Sequence, residues 1–234
     1  VLYAAGLSAR EIRKIIDDLT VSGEESWFDA VFSEDVTRWL EFVEPTGQRG
    51  GLIEAGAFID FLRKKTGCER FEDLQTPLQV VACDFWQREQ VIFDSGELWP
   101  AVQASMALPG LFPPVEYQGR VLVDGGLVNP VPYDVFPEGC GITVAVDVLG
   151  TRTPGESSVP SWFDTSFNTF QILQTSIIQA KLAQSQPDIL LKPDIRDVRV
   201  LEFYRVERIY QQTAPERDRL RRELQQRLAV KTGY

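Results

Sequence analysis

Apolar residues recur along this chain with two different periods, one typical of helices and one typical of strands. The helical period predicts helices over residues 10–19, 27–43, 57–66, 98–107, 167–182 and 215–230. Short apolar runs bounded by polar residues or proline predict strands over residues 78–83, 90–93, 121–123, 142–148 and 189–191. Because helices and strands alternate throughout, the pattern predicts an α/β fold around a mainly parallel central sheet.

Local signals mark two of the predicted helix ends. Ser8 followed three residues later by Glu11 is a capping box, which predicts a helix N-terminus at this point. Gly6 ends the apolar run that opens the chain, and Gly67 ends the helix predicted over residues 57–66. The opening run is therefore interpreted as a helix end joined to the next helix by a tight turn.

The composition excludes several classes of protein. A chain of 234 residues with 44% hydrophobic and 25% charged residues can bury one large core, and it has no apolar run of about 20 residues that would span a bilayer. The net charge of −10 argues against nucleic acid as a partner, and it requires a local apolar or basic patch for any membrane contact. Cys68, Cys83 and Cys140 are widely spaced, which argues against a zinc site and favours a reducing, cytoplasmic location.

Asp124 is the first candidate for chemistry, since it follows a predicted strand and precedes Gly125 and Gly126. A strand that ends in Asp places a carboxylate at the edge of the sheet where open α/β sheets bind their ligands. The two glycines are predicted to turn the chain with positive φ and to leave space beside the carboxylate. The alternative is an ordinary Asp-Gly turn, in which the side chain only caps its own backbone.

A longer pattern around Asp124 resembles the patatin-like phospholipase family. Members carry an A-S-x-A-x-P-x-x-F-P-P segment ahead of a strand that ends in D-G-G or D-G-A, and residues 104–115 and 119–132 match this order. Further stretches similar to the bacterial branch are residues 51–56, 71–84, 93–96 and 187–193. The resemblance covers nearly the whole chain and implies a single three-layer domain over residues 1–234, truncated at its N-terminus.

This resemblance implies a Ser-Asp dyad without metal or organic cofactor. Asp124 is implied to be the dyad aspartate, with Gly125 and Gly126 forming its supporting turn. The chain has no His, so a Ser-His-Asp triad cannot be completed from its own residues. Ser8 has Arg10 where the G-x-S-x-G elbow needs its second glycine, and we interpret it as a helix cap. The nucleophilic serine is therefore expected upstream of Val1.

The implied function is hydrolysis of acyl esters in lipids, with peripheral contact to a membrane. Two alternatives stay open: a non-catalytic module that binds lipid or protein, and an acyltransferase that uses the same dyad. Asp84 and Asn129 are candidate site residues, but a turn residue and a loop contact are the simpler interpretations. The aromatic-rich segment 27–43 is either core or a mobile cover over Asp124, with Phe42 near the mouth of the site.

Overall fold

The computed structural model describes residues 1–21, 56–136, 141–151, 153, 162–198 and 205–231. The chain divides into two compact units, Val1–Pro130 and Val131–Tyr234. That both units belong to a single domain over residues 1–234 stays a prediction. The segment 27–43, including Phe42, lies outside the described residues.

In its described residues, the first unit contains short helices and four strands. Its helices are α1 (Ala9–Val21), α2 (Gly56–Thr66) and α3 (Leu98–Ser105), with 3₁₀ turns at Phe71–Asp73 and Gly125–Leu127. Its strands are β1 (Val80–Asp84), β2 (Glu89–Phe93), β3 (Val115–Tyr117) and β4 (Arg120–Asp124). The strand β3 was missed by the sequence analysis, because three residues are too few to show a period of two.

The capping box at Ser8 and the helix end at Gly67 are confirmed, whereas α3 ends at Ser105, two residues before its predicted end. The Ser8 backbone N–H donates to Oε2 of Glu11 at 2.8 Å, and the Glu11 N–H donates back to Ser8 Oγ at 3.3 Å, which is the reciprocal geometry of a capping box. At the end of α2, Gly67 has a φ of 66°, and its N–H donates to the Arg63 carbonyl at 2.9 Å. Glycine adopts this left-handed conformation without the clash that a side chain would introduce.

The four strands form one antiparallel sheet in the order β2-β1-β4-β3. Strand β1 is buried along its whole length, and α3 packs against β1, β4 and β3 with Leu98, Ala101 and Ala104 fully buried. The mainly parallel sheet that we predicted is not what the described part of the first unit shows. The reason is visible in the sequence: residues 85–88 are too few for the crossover that joins parallel strands, which takes a dozen or more.

The second unit has a parallel pair of strands. Strand β5 (Val144–Val146) pairs with β6 (Ile189–Leu191), and helix α4 (Trp162–Gln184) lies between them in sequence. Helix α5 (Val206–Lys231) follows. The core of this unit is a cluster of buried side chains: Val131, Tyr133, Ala145 and Ile178. Partly buried leucines pack against this cluster: Leu149, Leu182 and Leu190.

Three elements of the second unit have bounds other than those predicted, among them α4, which begins at Trp162 and not at residue 167. The strand predicted over residues 142–148 is shorter, and it is not buried throughout, since Val146 and Val148 are exposed. The last helix was predicted over residues 215–230. Instead, α5 begins at Val206 and continues through Pro215. Its Arg219 donates to the Leu190 carbonyl at 3.0 Å, a tertiary contact that helps to hold α5.

Candidate active site

Strand β4 and the segment that follows α3 position Asp124. Asp124 is the last residue of β4 and lies opposite Ala82 of β1. Its backbone N–H donates to the Ala107 carbonyl at 3.0 Å. Ala107 is itself buried, so the segment that precedes Pro109 fixes the position of the Asp124 backbone. The bond between Asp124 and Ala107 thus joins residues 104–115 to residues 119–132, the two stretches that form the sequence pattern around Asp124.

The carboxylate of Asp124 is half-buried and is held by one backbone group. Its Oδ1 accepts the Gly126 N–H at 2.6 Å, which caps the 3₁₀ turn Gly125–Leu127. Burial raises the pKa of the Asp124 carboxyl, and the bond from Gly126 offsets part of that rise. No described residue donates a hydrogen bond to Oδ2. The side chain therefore has a free oxygen and a pKa shifted in the direction that suits a base near neutral pH.

Gly125 is required for a steric reason and not for the conformational one that we predicted. Gly125 and Gly126 lie in a 3₁₀ turn, and neither has a positive φ. A Cβ built on Gly125 would lie 2.2 Å from the carbonyl oxygen of Val81 and 2.6 Å from its carbonyl carbon. The turn after Asp124 thus packs directly against the backbone of β1, where no side chain fits.

Asn129 stabilises this turn from its far end. Its backbone N–H donates to the Gly125 carbonyl at 2.8 Å, and its buried side-chain amide donates to Oε1 of Gln90 on β2. The interpretation of Asn129 as a loop contact agrees with these bonds. Gln90 was missed by the sequence analysis, since nothing in the spacing of a single Gln within a strand indicates its partner.

Asp84 is a turn residue, in agreement with the simpler of its two interpretations. Its buried carboxylate accepts the N–H groups of Trp86 and Gln87 through Oδ1, at 3.1 and 3.0 Å. Its Oδ2 lies 3.5 Å from an Nη1 of Arg120. These bonds occupy both oxygens of Asp84, so Asp124 is the better placed of the two carboxylates to take a proton from a substrate or a nucleophile.

Comparison with known families identifies the fold around this site. The family model described as patatin-like phospholipase matches residues 1–137, which is more than half of the chain. The chain belongs to the patatin-like phospholipase family. The matched region includes β4, Asp124 and its turn. The α/β class is therefore established at the level of the family.

Individual relatives within the patatin-like phospholipases are moderately similar. An uncharacterized NTE family protein of Mycobacterium tuberculosis is 32% identical over 124 residues, covering 52% of this chain and 34% of its own length. Lysophospholipase NTE1 of Kluyveromyces lactis is 32% identical over 165 residues, covering 61% of this chain and 12% of its own length. The same enzyme of Debaryomyces hansenii is 28% identical over 76% of this chain. The chain thus spans about a third of the mycobacterial relative and about an eighth of the yeast ones.

The first residues of this patatin-like chain have the geometry of a helix C-terminus. Ala5 N–H donates to the Val1 carbonyl at 2.9 Å, which is a helical bond. Gly6 N–H donates to Tyr3, Leu7 N–H donates to Leu2, and Gly6 has a φ of 100°. Together these two bonds form a Schellman motif, the usual C-cap of an α-helix. The interpretation of this run as a helix end agrees with that motif.

The cysteines and serine near these elements are not placed for nucleophilic chemistry. Cys68 and Cys83 are buried free thiols, and burial raises the pKa of both, with Asp84 and Asp124 adding to the rise at Cys83. A raised pKa keeps a thiol protonated and unreactive. Ser8 donates its hydroxyl to Glu11 at 2.7 Å, as a cap does. Cys140 lies outside the described residues.

The described residues show neither a metal site nor a membrane-spanning helix. They contain no group of three or more His, Cys, Asp or Glu side chains placed to hold a metal ion. Within the same part of the chain, no helix combines the length and the apolar content that crossing a bilayer requires.

Proposed function

We propose that this chain supplies the aspartate of a Ser-Asp dyad in a lipid acyl hydrolase, and that the serine lies upstream of Val1. The observation that carries the proposal is the carboxylate of Asp124, held at the end of β4 with Oδ1 bound to Gly126 and its pKa raised by burial. Its other oxygen is available to accept a proton from a hydroxyl. Gly125 and Gly126 form the turn that keeps it there.

In the proposed reaction, Asp124 first acts as a base. It takes the proton of the serine hydroxyl while the serine oxygen attacks the carbonyl carbon of an acyl ester. The tetrahedral intermediate then collapses, the bond to the alcohol breaks, and Asp124 returns the proton to the leaving alkoxide. Water then attacks the acyl-serine while Asp124 takes its proton. The bond to the serine oxygen breaks, Asp124 returns the proton to that oxygen, and the fatty acid is released. No metal or organic cofactor is needed for either step.

Three features support an upstream serine. The Schellman motif at Leu2–Leu7 has the geometry of a helix C-terminus. No G-x-S-x-G occurs anywhere in the 234 residues, and the absence of His leaves no triad to complete. A nucleophile elbow places its serine just before a helix, so a helix that ends at Gly6 is the natural continuation of such an elbow.

The substrate class is inferred from the relatives. Yeast proteins similar to this chain are named lysophospholipases, although the chain covers only about an eighth of their length. We infer an acyl ester of a phospholipid or lysophospholipid as the substrate. We also infer that the two units and the upstream segment build one three-layer α/β domain, as membership of the patatin-like family suggests.

A fluorophosphonate probe tests this assignment, because it labels only serines activated for nucleophilic attack. Residues 1–234 alone are expected to show no labelling by intact mass, since Ser8 is a cap and no other serine lies in an elbow. The extended protein, in which the segment upstream of Val1 is present, is expected to take up one probe per chain on a serine of that segment. Stoichiometric labelling of a serine within residues 1–234 would overturn the proposal.

A further inference from the structure

Two aromatic side chains protrude from the turn between β1 and β2. Trp86 is 71% exposed and Phe85 is 46% exposed, and their rings pack edge to face with centroids 4.9 Å apart. A chain of this size seldom leaves a Trp so exposed without a use for it, because Trp carries more apolar surface than any other side chain. We call Phe85–Arg88 the aromatic turn.

Hydrogen bonds from its backbone N–H groups to Asp84 hold the aromatic turn in one shape. The carboxylate of Asp84 accepts the N–H groups of Trp86 and Gln87, and Arg88 N–H donates to the Asp84 carbonyl at 2.8 Å. Arg88 has a φ of 60°, a conformation that costs energy for a residue with a side chain. The exposure of Phe85 and Trp86 is therefore a property of an ordered turn.

A second turn lies at the same end of the sheet. Phe85 N–H donates to the Val121 carbonyl at 2.9 Å, so the start of β4 runs beside the aromatic turn. The β3–β4 hairpin turns through Gln118 and Gly119, whose φ values of 52° and 73° fit a type I′ turn. Arg120 follows that turn and pairs with Asp84. This end of the sheet thus presents two aromatic rings together with two arginines, Arg88 and Arg120.

The acidic residues of these strands lie further from the tip. Glu89 is level with Asp84 in the β1–β2 register, and Glu116 is level with Val121 in the β3–β4 register. Arg88 lies within the turn, and Arg120 is one residue nearer the second turn than Val121. The charged side chains nearest the tip are therefore the two arginines, of which Arg120 is in an ion pair with the buried carboxylate of Asp84.

We propose that the aromatic turn is the anchor by which this protein binds the phospholipid–water interface. Trp prefers the depth of the headgroups, where its ring is in apolar surroundings and its N–H is hydrated, and arginine side chains at that depth contact phosphate. Since the whole chain is acidic, the anchor works through the aromatic rings and suits a zwitterionic phosphatidylcholine surface. That the substrate of Asp124 lies in the same surface rests on the proposed function.

The sheet places the anchor close to Asp124. Asp124 lies opposite Ala82, three residues before Phe85, where the aromatic turn begins. Three residues of strand correspond to about 10 Å. Binding at the aromatic turn would hold the carboxylate within a short distance of the lipid surface and would raise the local concentration of an ester presented there.

Vesicle binding tests this proposal without any catalytic step. Residues 1–234 are expected to sediment with phosphatidylcholine vesicles, and the double variant Phe85→Ser/Trp86→Ser is expected to lose at least about tenfold in partitioning, because binding scales with the apolar area buried. Phe136→Ser is the matched control. Phe136 is 51% exposed, a fraction similar to the 46% of Phe85, but it lies outside the sheet. This control is expected to bind as the original chain does.

The outcomes separate this proposal from the proposed function. An original chain that does not sediment, a double variant that binds as well as the original, or equal losses in the double variant and Phe136→Ser would each overturn the anchor. Circular dichroism spectra of these two variants are compared with that of the original chain to check that both remain folded. None of these results depends on Asp124, because vesicle binding is measured without hydrolysis of an ester.

Discussion

Asp124→Asn in the extended protein is expected to lower turnover of a soluble short-chain ester by at least about 10²-fold, because the substitution removes the general base and keeps the shape of the side chain. Its stability is not expected to fall. Burial raises the pKa of Asp124, so the native state holds a costly charge above that pKa, and Asn removes the cost. Steady-state kinetics and urea denaturation at neutral pH measure the two quantities.

Asp84→Asn is the matched control for this prediction. Asp84 is also an aspartate at the end of a strand of the same sheet, but its oxygens are bound to the aromatic turn and to Arg120. Weakening these bonds is expected to cost about 1–3 kcal/mol of stability and to leave turnover of a soluble ester near the original value. If Asp84→Asn lost as much turnover as Asp124→Asn, or if Asp124→Asn retained normal turnover, the dyad assignment would be wrong.

Gly125→Ala is expected to destabilise the first unit by about 3 kcal/mol or more, since the added Cβ would lie 2.2 Å from the carbonyl oxygen of Val81. The neighbour is backbone in the middle of the buried strand β1 and cannot rotate away. Separation of β4 from β1 also displaces Asp124, so turnover is expected to fall with stability. Urea denaturation of the variant, compared with the original chain, measures the loss.

Gly56→Ala separates this clash from a general effect of replacing glycine. Gly56 is the first residue of α2, it has no positive φ, and a Cβ there would meet nothing within 4 Å. Alanine at this position is expected to leave stability unchanged or to raise it by less than about 1 kcal/mol. A Gly125→Ala chain as stable as Gly56→Ala would show that the turn after Asp124 does not pack against β1 as described.

Features that depend on residues close together in the chain could be predicted from the sequence. The capping box of Ser8 and Glu11, the end of α2 at Gly67 and the strand Ile189–Leu191 follow from local chemistry, and the structure has each of them. The strand leading into Asp124 was predicted for the same reason. Each of these features depends on contacts within a few residues, which the sequence displays directly.

Features set by distant residues were not predictable in the same way. Position 125 requires glycine because the backbone of Val81 lies directly beside it, and the side chain of Asn129 bonds to Gln90. Only the folded sheet brings the members of each pair close together. The direction of strand pairing was also misjudged, although the short link between β1 and β2 already required an antiparallel pair. Helix α5 begins before Pro215 and contacts β6, a contact that no local pattern displays.

The pH dependence of kcat/KM for a soluble ester tests the role of Asp124 most directly. The dyad needs the carboxylate, and burial raises its pKa, so activity of the extended protein is expected to rise with pH to a plateau, with a midpoint above the 3.8 of an ordinary aspartate. The residual activity of Asp124→Asn is expected to lack this rise. A midpoint at or below 3.8 in protein shown to be folded at that pH, or the same rise in Asp124→Asn, would contradict the account.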